Sequence, residues 1–278
     1  MIFFCGQYKL DLTQPKVMGI VNITPDSFSD GGRYISTNKA VEHALKLVEE
    51  GANILDIGGE STRPGATPVG LDEELSRVIP VIKALIGLVQ IPLSIDTYKP
   101  QVMQAAIAAG VSIVNDIKAL QMPGALELVS KCGVGVCLMH MQGTPKTMQI
   151  APQYNEVVAD VKAFLTMRLQ ASIVAGIDKN RILIDPGFGF GKRTEHNITL
   201  LQNLANIADI GQPLLVGLSR KSVLGQVLGD NQADRVSASI ATSVIAVING
   251  ANVLRVHDVK ATVDALKVVM AIQGNYLR

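Results

Sequence analysis

Across these 278 residues, the side chains able to do chemistry recur where short apolar runs stop. Asn22 closes VMGIVN, Glu60 to Arg63 follow ANILDIGG, Asp96 closes PLSID, and Asn115 and Asp116 close SIVND. Further on, His140 follows VGVCLM, Asp185 closes RILID, Ser219, Arg220 and Lys221 follow PLLVGL, and Arg255, His257 and Asp258 end the last run. A carboxylate can accept two parallel N–H bonds from a guanidine-like ring edge. Asp96 and Asp185, with the Asn115 amide and the Lys221 ammonium, therefore suit an aminopyrimidinone heterocycle. Arg63, Arg255 and His257 are the cationic counterpart, fitted to a phosphate or pyrophosphate. Asn22 offers an oxygen ligand to Mg²⁺, a cation that commonly binds with waters and substrate phosphates rather than in a full protein cage.

Taken singly, Glu60, Ser61 or Asp258 reads equally well as a helix cap or a solvated loop residue. Asp116 and Arg220 could form a structural ion pair. The joint pattern is harder to produce by packing alone, because nearly every run ends in an ionisable or amide side chain. Other chemistries are disfavoured. GFGFGKR, residues 187–193, lacks the glycine spacing of a phosphate loop and the Ser/Thr after Lys192. Its glycines, Gly187, Gly189 and Gly191, suggest instead close backbone approach to a flat ligand beside Phe190. No Ser-His-Asp order, H-E-x-x-H or reactive-cysteine context is found, and Cys5, Cys132 and Cys137 match no zinc spacing. A protein nucleophile is not expected. A heterocycle held beside a pyrophosphate points to transfer by departure of a leaving group.

These residues need a frame that brings the ends of many runs together. One unit recurs: an amphipathic helical stretch, a glycine, a short β-branched run and a polar end. It is seen at Gly51, Gly110, Gly133, Gly176, Gly211 and Gly250. With VMGIVN and IPLSID this makes eight short strands alternating with helices, which implies a parallel sheet. Eight such units in this length favour a closed (β/α)8 barrel, whose strand ends all open on one face. The expectation is an α/β fold of one domain, residues 1–278, with residues 1–14 forming an N-terminal hairpin or cap. Net charge is +1, which argues against a general nucleic-acid surface. The N-terminus lacks the basic start of a signal peptide, and SASIATSVIAVINGANVL is interrupted before it reaches a membrane-spanning length, so a soluble cytoplasmic protein is expected.

The segments TPDSFSDGG, DIGGESTRPGA, SIDTYKP, VND, LMHMQGTPKTMQ, DPGFGFGKRTEHN, GLSRKS and RVHDV together resemble the dihydropteroate synthase family, in the family's order from Met18 to Asp258. The resemblance implies a homodimeric (β/α)8 barrel of folate biosynthesis, inhibited by sulfonamides. It implies condensation of 6-hydroxymethyl-7,8-dihydropterin pyrophosphate with p-aminobenzoate to give 7,8-dihydropteroate and pyrophosphate. On this basis Asp96, Asn115, Ile117, Met139, Asp185, Lys221 and Arg255 contact the pterin. Asn22, Arg63, Arg255 and His257 hold pyrophosphate, with Asn22 on Mg²⁺. Thr62, Pro64, Phe190, Lys221 and Ser222 surround p-aminobenzoate. The catalytic set implied is Asp96, Lys221, Arg255 and His257: pyrophosphate leaves first, Asp96 stabilises the pterin cation, and the neutral arylamine attacks. Pro25, Asp26, Phe28 and Asp30 belong to a loop read as a mobile cover over the arylamine. Two rivals share parts of the pattern: a methyltetrahydrofolate-dependent methyltransferase barrel and a non-catalytic pterin or phosphate binder.

Overall fold

The computed structural model describes residues 1–23, 33–61 and 65–274. Two antiparallel strands, β1 (Ile2–Cys5) and β2 (Tyr8–Asp11), form the N-terminal hairpin expected from the sequence. Eight parallel strands then alternate with helices: β3 (Lys16–Asn22), β4 (Ile54–Gly58), β5 (Leu93–Asp96), β6 (Ile113–Asp116), β7 (Gly135–Met139), β8 (Ile182–Asp185), β9 (Leu214–Val216) and β10 (Ala251–Val256). They close in the order β10-β3-β4-β5-β6-β7-β8-β9, a complete barrel. The helices are α1 (Arg33–Glu49), α2 (Leu71–Leu85), α3 (Pro100–Ala108), α4 (Ala125–Ser130), α5 (Val157–Val174), α6 (Thr194–Gln202), α7 (Leu204–Ala208), α8 (Ser222–Leu228), α9 (Val236–Ile248) and α10 (Val259–Ile272).

Strands β4 to β9 are buried at every position, which is why they read as apolar runs without clean alternation. Alternate side chains nevertheless go to two different places. Val17, Leu55, Ile95, Val114, Leu138, Ile184, Val216 and Leu254 belong to the layer shared with the helices. Met18, Ile54, Ile113, Cys137, Leu183, Leu215 and Val253 form the lower barrel interior, sealed from below by Phe3, Cys5 and Leu12. The hairpin sits so tightly that a Cβ on Gly135 would lie 2.5 Å from Phe3 Cζ.

That parity decides the chemistry. Two residues beyond the lower layer, on the same face of each strand, come Asp56, Asn115, Met139, Asp185, Gly217 and Arg255. Register then places Ser94 beside Asp56, and Asp96 beside both Gly58 and Asn115. The barrel interior is therefore apolar below and charged above, toward the carboxyl ends of the strands.

Candidate active site

Arg255 ties the charged layer together. Its Nε donates to Asp56 Oδ2 at 2.6 Å and its Nη2 to Asp96 Oδ2 at 2.6 Å. Asn115 Nδ2 donates to the same Asp56 oxygen at 3.1 Å. Asp56 is fully buried, and its Oδ1 has no hydrogen-bond partner among the described residues. Strand-end reading missed Asp56 because it lies inside a run. The signal was a carboxylate in ILDIG two residues beyond inward-facing Ile54. Burial lifts the Asp96 carboxyl; Arg255 opposes the shift, Asp56, Glu74 and Asp116 reinforce it, and the outcome is a pKa of about 7. Burial also works against the Arg255 charge, but Asp56 and Asp96 outweigh it and hold its pKa above the ordinary arginine value.

Asp185, from β8, sits beside Met139 of β7 and accepts the Gly187 N–H on Oδ1 at 2.7 Å. Burial raises its pKa, against the pull of nearby Lys221. Lys221 caps α8, donates from Nζ to the Phe188 carbonyl, and lies 4.6 Å from the centre of the Phe190 ring. Burial pushes its pKa down to about 8, while Asp185 favours the charge. Gly217 borders both Arg255 and Lys221: a Cβ there would be in ordinary contact, 3.7 Å from Arg255 Cβ and 3.9 Å from Lys221 Nζ. Phe190 packs with Ile117, Met139 and Met148 as an apolar wall, with Tyr98 and Met141 behind it. Ser222, the first residue of α8, is exposed at the rim. His257 follows β10, with its Nδ1 3.0 Å from Ser219 Oγ and its backbone N–H donating to the same hydroxyl at 3.1 Å.

Asn22 ends β3 opposite Gly58. A Cβ on Gly58 would meet both Asn22 Oδ1 and Asp96 Oδ2 at 3.7 Å, so the glycine leaves a notch bordered by two oxygens. One amide oxygen at such a notch, completed by waters and phosphate oxygens, is a donor set that suits Mg²⁺.

Several rim residues go elsewhere. Asp116 is one residue out of phase with Asn115 and points away from the mouth; its oxygens accept the Lys118 and Leu120 N–H groups at 2.7 and 2.8 Å. Arg220 pairs with Asp258, through Nε to Oδ2 at 2.9 Å and a second bond from Nη2, so the Asp116–Arg220 pair does not form. Glu60 receives Lys99 Nζ and the Tyr98 hydroxyl. The glycines of residues 187–191 also serve a different neighbour from the one expected. Gly187 and Gly191 have φ of +69° and +63°, and a Cβ there would stand 1.8 Å from His140 O and 2.4 Å from Gln142 O. They admit the backbone of the β7–α5 loop, while Gly189 borders the Lys221 stem. Pro25, Asp26, Phe28 and Asp30, together with Thr62, Arg63 and Pro64, lie outside the described residues.

Fold and site together define a (β/α)8-barrel enzyme whose mouth presents a buried, charged layer walled by apolar side chains. Residues 18–257 match the family described as pterin binding enzyme. The dihydropteroate synthases of Escherichia coli K12 and Haemophilus influenzae are 51% and 52% identical to the chain, each over 98% of it and over 96% and 98% of their own lengths. Among solved structures, the Xanthomonas albilineans dihydropteroate synthase with 4-aminobenzoic acid superposes with a TM-score of 0.92 at 53% identity, covering 98% of each chain. The Yersinia pestis dihydropteroate synthase in a sulfonamide drug complex gives 0.93 at 48% identity, covering 99% of this chain and 100% of that one. The chain belongs to the dihydropteroate synthase family. Among the described residues, no helix is long and apolar enough to cross a membrane.

Proposed function

We propose that the chain condenses 6-hydroxymethyl-7,8-dihydropterin pyrophosphate with p-aminobenzoate, releasing pyrophosphate and 7,8-dihydropteroate for folate biosynthesis. The observation that carries this is the convergence of Asp56, Asp96, Asn115, Asp185, Lys221 and Arg255 on one buried layer at the barrel mouth. Relatives solved with 4-aminobenzoic acid and with 7,8-dihydropteroate support the substrate pair.

In this reading Asp185 and Asn115 take the polar edge of the pterin, with Ile117 and Met139 against its faces. Arg255 and His257 stand on the pyrophosphate side. As the CH2–O bond breaks, negative charge grows on the leaving group and positive charge on the pterin. Arg255 and His257 stabilise the first, and the Asp96 carboxylate the second. Asn22 is the residue that would hold Mg²⁺, whose charge would offset that of the departing pyrophosphate. Phe190, Lys221 and Ser222 face the arylamine, which attacks as the neutral amine and needs no strong base. A sulfonamide would occupy the same side.

We further infer a homodimer. Val227 and Leu228 on α8 and Ile245 and Ile248 on α9 are exposed, whereas α9 turns Ser239, Ser243 and Ala246 inward. The apolar face of α9 is thus left outside rather than consumed by the barrel. Free Cys5, Cys132 and Cys137 fit a reducing compartment and hence a cytoplasmic enzyme. Offering methyltetrahydrofolate and a corrinoid acceptor in a parallel assay tests the whole reading: methyl transfer there would replace it, and none is expected.

A further inference from the structure

The turn between β8 and α6 is held at five consecutive carbonyls, each by a side chain. Gly187 O and Phe190 O accept from Lys192 Nζ at 2.8 and 3.1 Å. Phe188 O accepts from Lys221, Gly189 O from Gln149 Nε2 at 2.7 Å, and Gly191 O from the Tyr154 hydroxyl at 2.7 Å. Lys192 is 2% exposed, and its third partner is His140 Nδ1 at 2.9 Å. The lysine nitrogen thus has three polar partners. His140 is itself wedged edge-on against Phe164, at 4.9 Å between ring centres.

A buried ammonium needs a reason. Burial pushes the Lys192 pKa well below the ordinary lysine value, although Asp185 supports its charge. The turn is already closed without it, by the Phe190 N–H on Gly187 O at 3.1 Å, and its outer carbonyls are tied by Gln149 and Tyr154. An apolar side chain of similar length would fill the space without desolvating a charge, but would leave the Phe190 carbonyl and the His140 nitrogen without this partner. What Lys192 adds is position. By gripping the first and fourth carbonyls it fixes the segment between them, which carries the Phe188 carbonyl that anchors Lys221 and the Phe190 ring that Lys221 overlies.

We propose that Lys192, seated on His140, is a positioning residue that sets Phe190 and Lys221 for the arylamine. This rests on the proposed function. Asp96 and Asn115 do not touch this turn, whereas Asp185 accepts the Gly187 N–H and Lys221 is anchored on the Phe188 carbonyl, so the pterin side should be disturbed less than the arylamine side rather than spared.

The test compares wild type, Lys192→Met and Tyr154→Phe in steady-state condensation with both substrates varied, alongside thermal unfolding. Lys192→Met, which leaves the Phe190 carbonyl and the His140 ring nitrogen without the lysine, should lower thermal stability, raise the KM for p-aminobenzoate by about tenfold, and move the KM for pterin pyrophosphate by about threefold or less. Tyr154→Phe, which frees only Gly191 O, should change neither KM. Equal KM shifts for both substrates, or none for p-aminobenzoate, would overturn the role. If Lys192→Met does not fold, His140→Leu removes one acceptor and should give the same split; an unchanged p-aminobenzoate KM there would overturn it equally. Absence of wild-type turnover would instead refute the proposed function.

Discussion

Asp96 and Arg255 are in contact, yet Asp96 titrates near neutrality, because burial and three neighbouring carboxylates outweigh one guanidinium. This makes Asp96 the residue whose protonation state should be visible in the kinetics. If its carboxylate stabilises the cation, kcat should rise as pH increases through about 7. Asp96→Asn should lower kcat by about a hundredfold, leave the KM for pterin pyrophosphate within a few fold, and abolish that limb. The same shift predicts a stability trend. A carboxyl raised from 3.8 to about 7 holds a proton in the folded state that the unfolded chain gives up. Its contribution is fully present below the unfolded value and is lost as pH rises through about 7. Urea unfolding across that window should show wild type losing stability relative to Asp96→Asn. At this scale the sequence was legible where an apolar run ends. Asp96, Asn115, Asp185 and Arg255 were visible, but Asp56 was hidden inside its run. Lys192 was passed over because its surroundings failed the phosphate-loop pattern, while its actual partners, the carbonyls of its own turn and distant His140, leave no sequence signal.

Among the elements, the β8–α6 turn and the N-terminal hairpin carry separate burdens. Gly187→Ala would place a methyl 1.8 Å from His140 O at φ +69°, so the loops must part. A loss of at least ~2 kcal/mol is expected from the left-handed backbone and the clash, with p-aminobenzoate affinity falling too. Gly133→Ala, where no described residue lies within 4 Å of the new Cβ, is the control and should be near neutral. Phe3 is fully buried under the barrel floor, so Phe3→Ala should cost ~3–5 kcal/mol while both KM values stay put. Denaturant unfolding with parallel kinetics checks both substitutions. Strand and helix identities were legible from the repeating glycine-and-run unit. The orientation of α9 was not, since a helix this rich in Ile, Val and Ala offers no polar face to place outward, and packing against β10 and α10 chose Ser239 and Ser243 for the inside.

For the molecule as a whole, the division of labour runs along the barrel axis: an apolar floor sealed by the hairpin, a charged ceiling where the strands end. Eight units of similar grammar made the closed barrel readable, and the period of two explains which of two adjacent polar residues, Asn115 or Asp116, reaches the mouth. The outer surface bears on assembly. Sedimentation should report a dimer for wild type. Ile248→Asp, on a residue 60% exposed, should shift it toward monomer without unfolding the chain; a monomeric wild type would remove the homodimer from the account. In the proposed reaction the charged ceiling expels pyrophosphate and delivers the pterin to an arylamine. The most direct test incubates the protein with Mg²⁺ and pterin pyrophosphate, then adds p-aminobenzoate while pyrophosphate and 7,8-dihydropteroate are both quantified. The two products should accumulate together, one for one, and only when both substrates are present. Tight binding of pterin pyrophosphate with neither product formed on adding p-aminobenzoate would contradict this reaction.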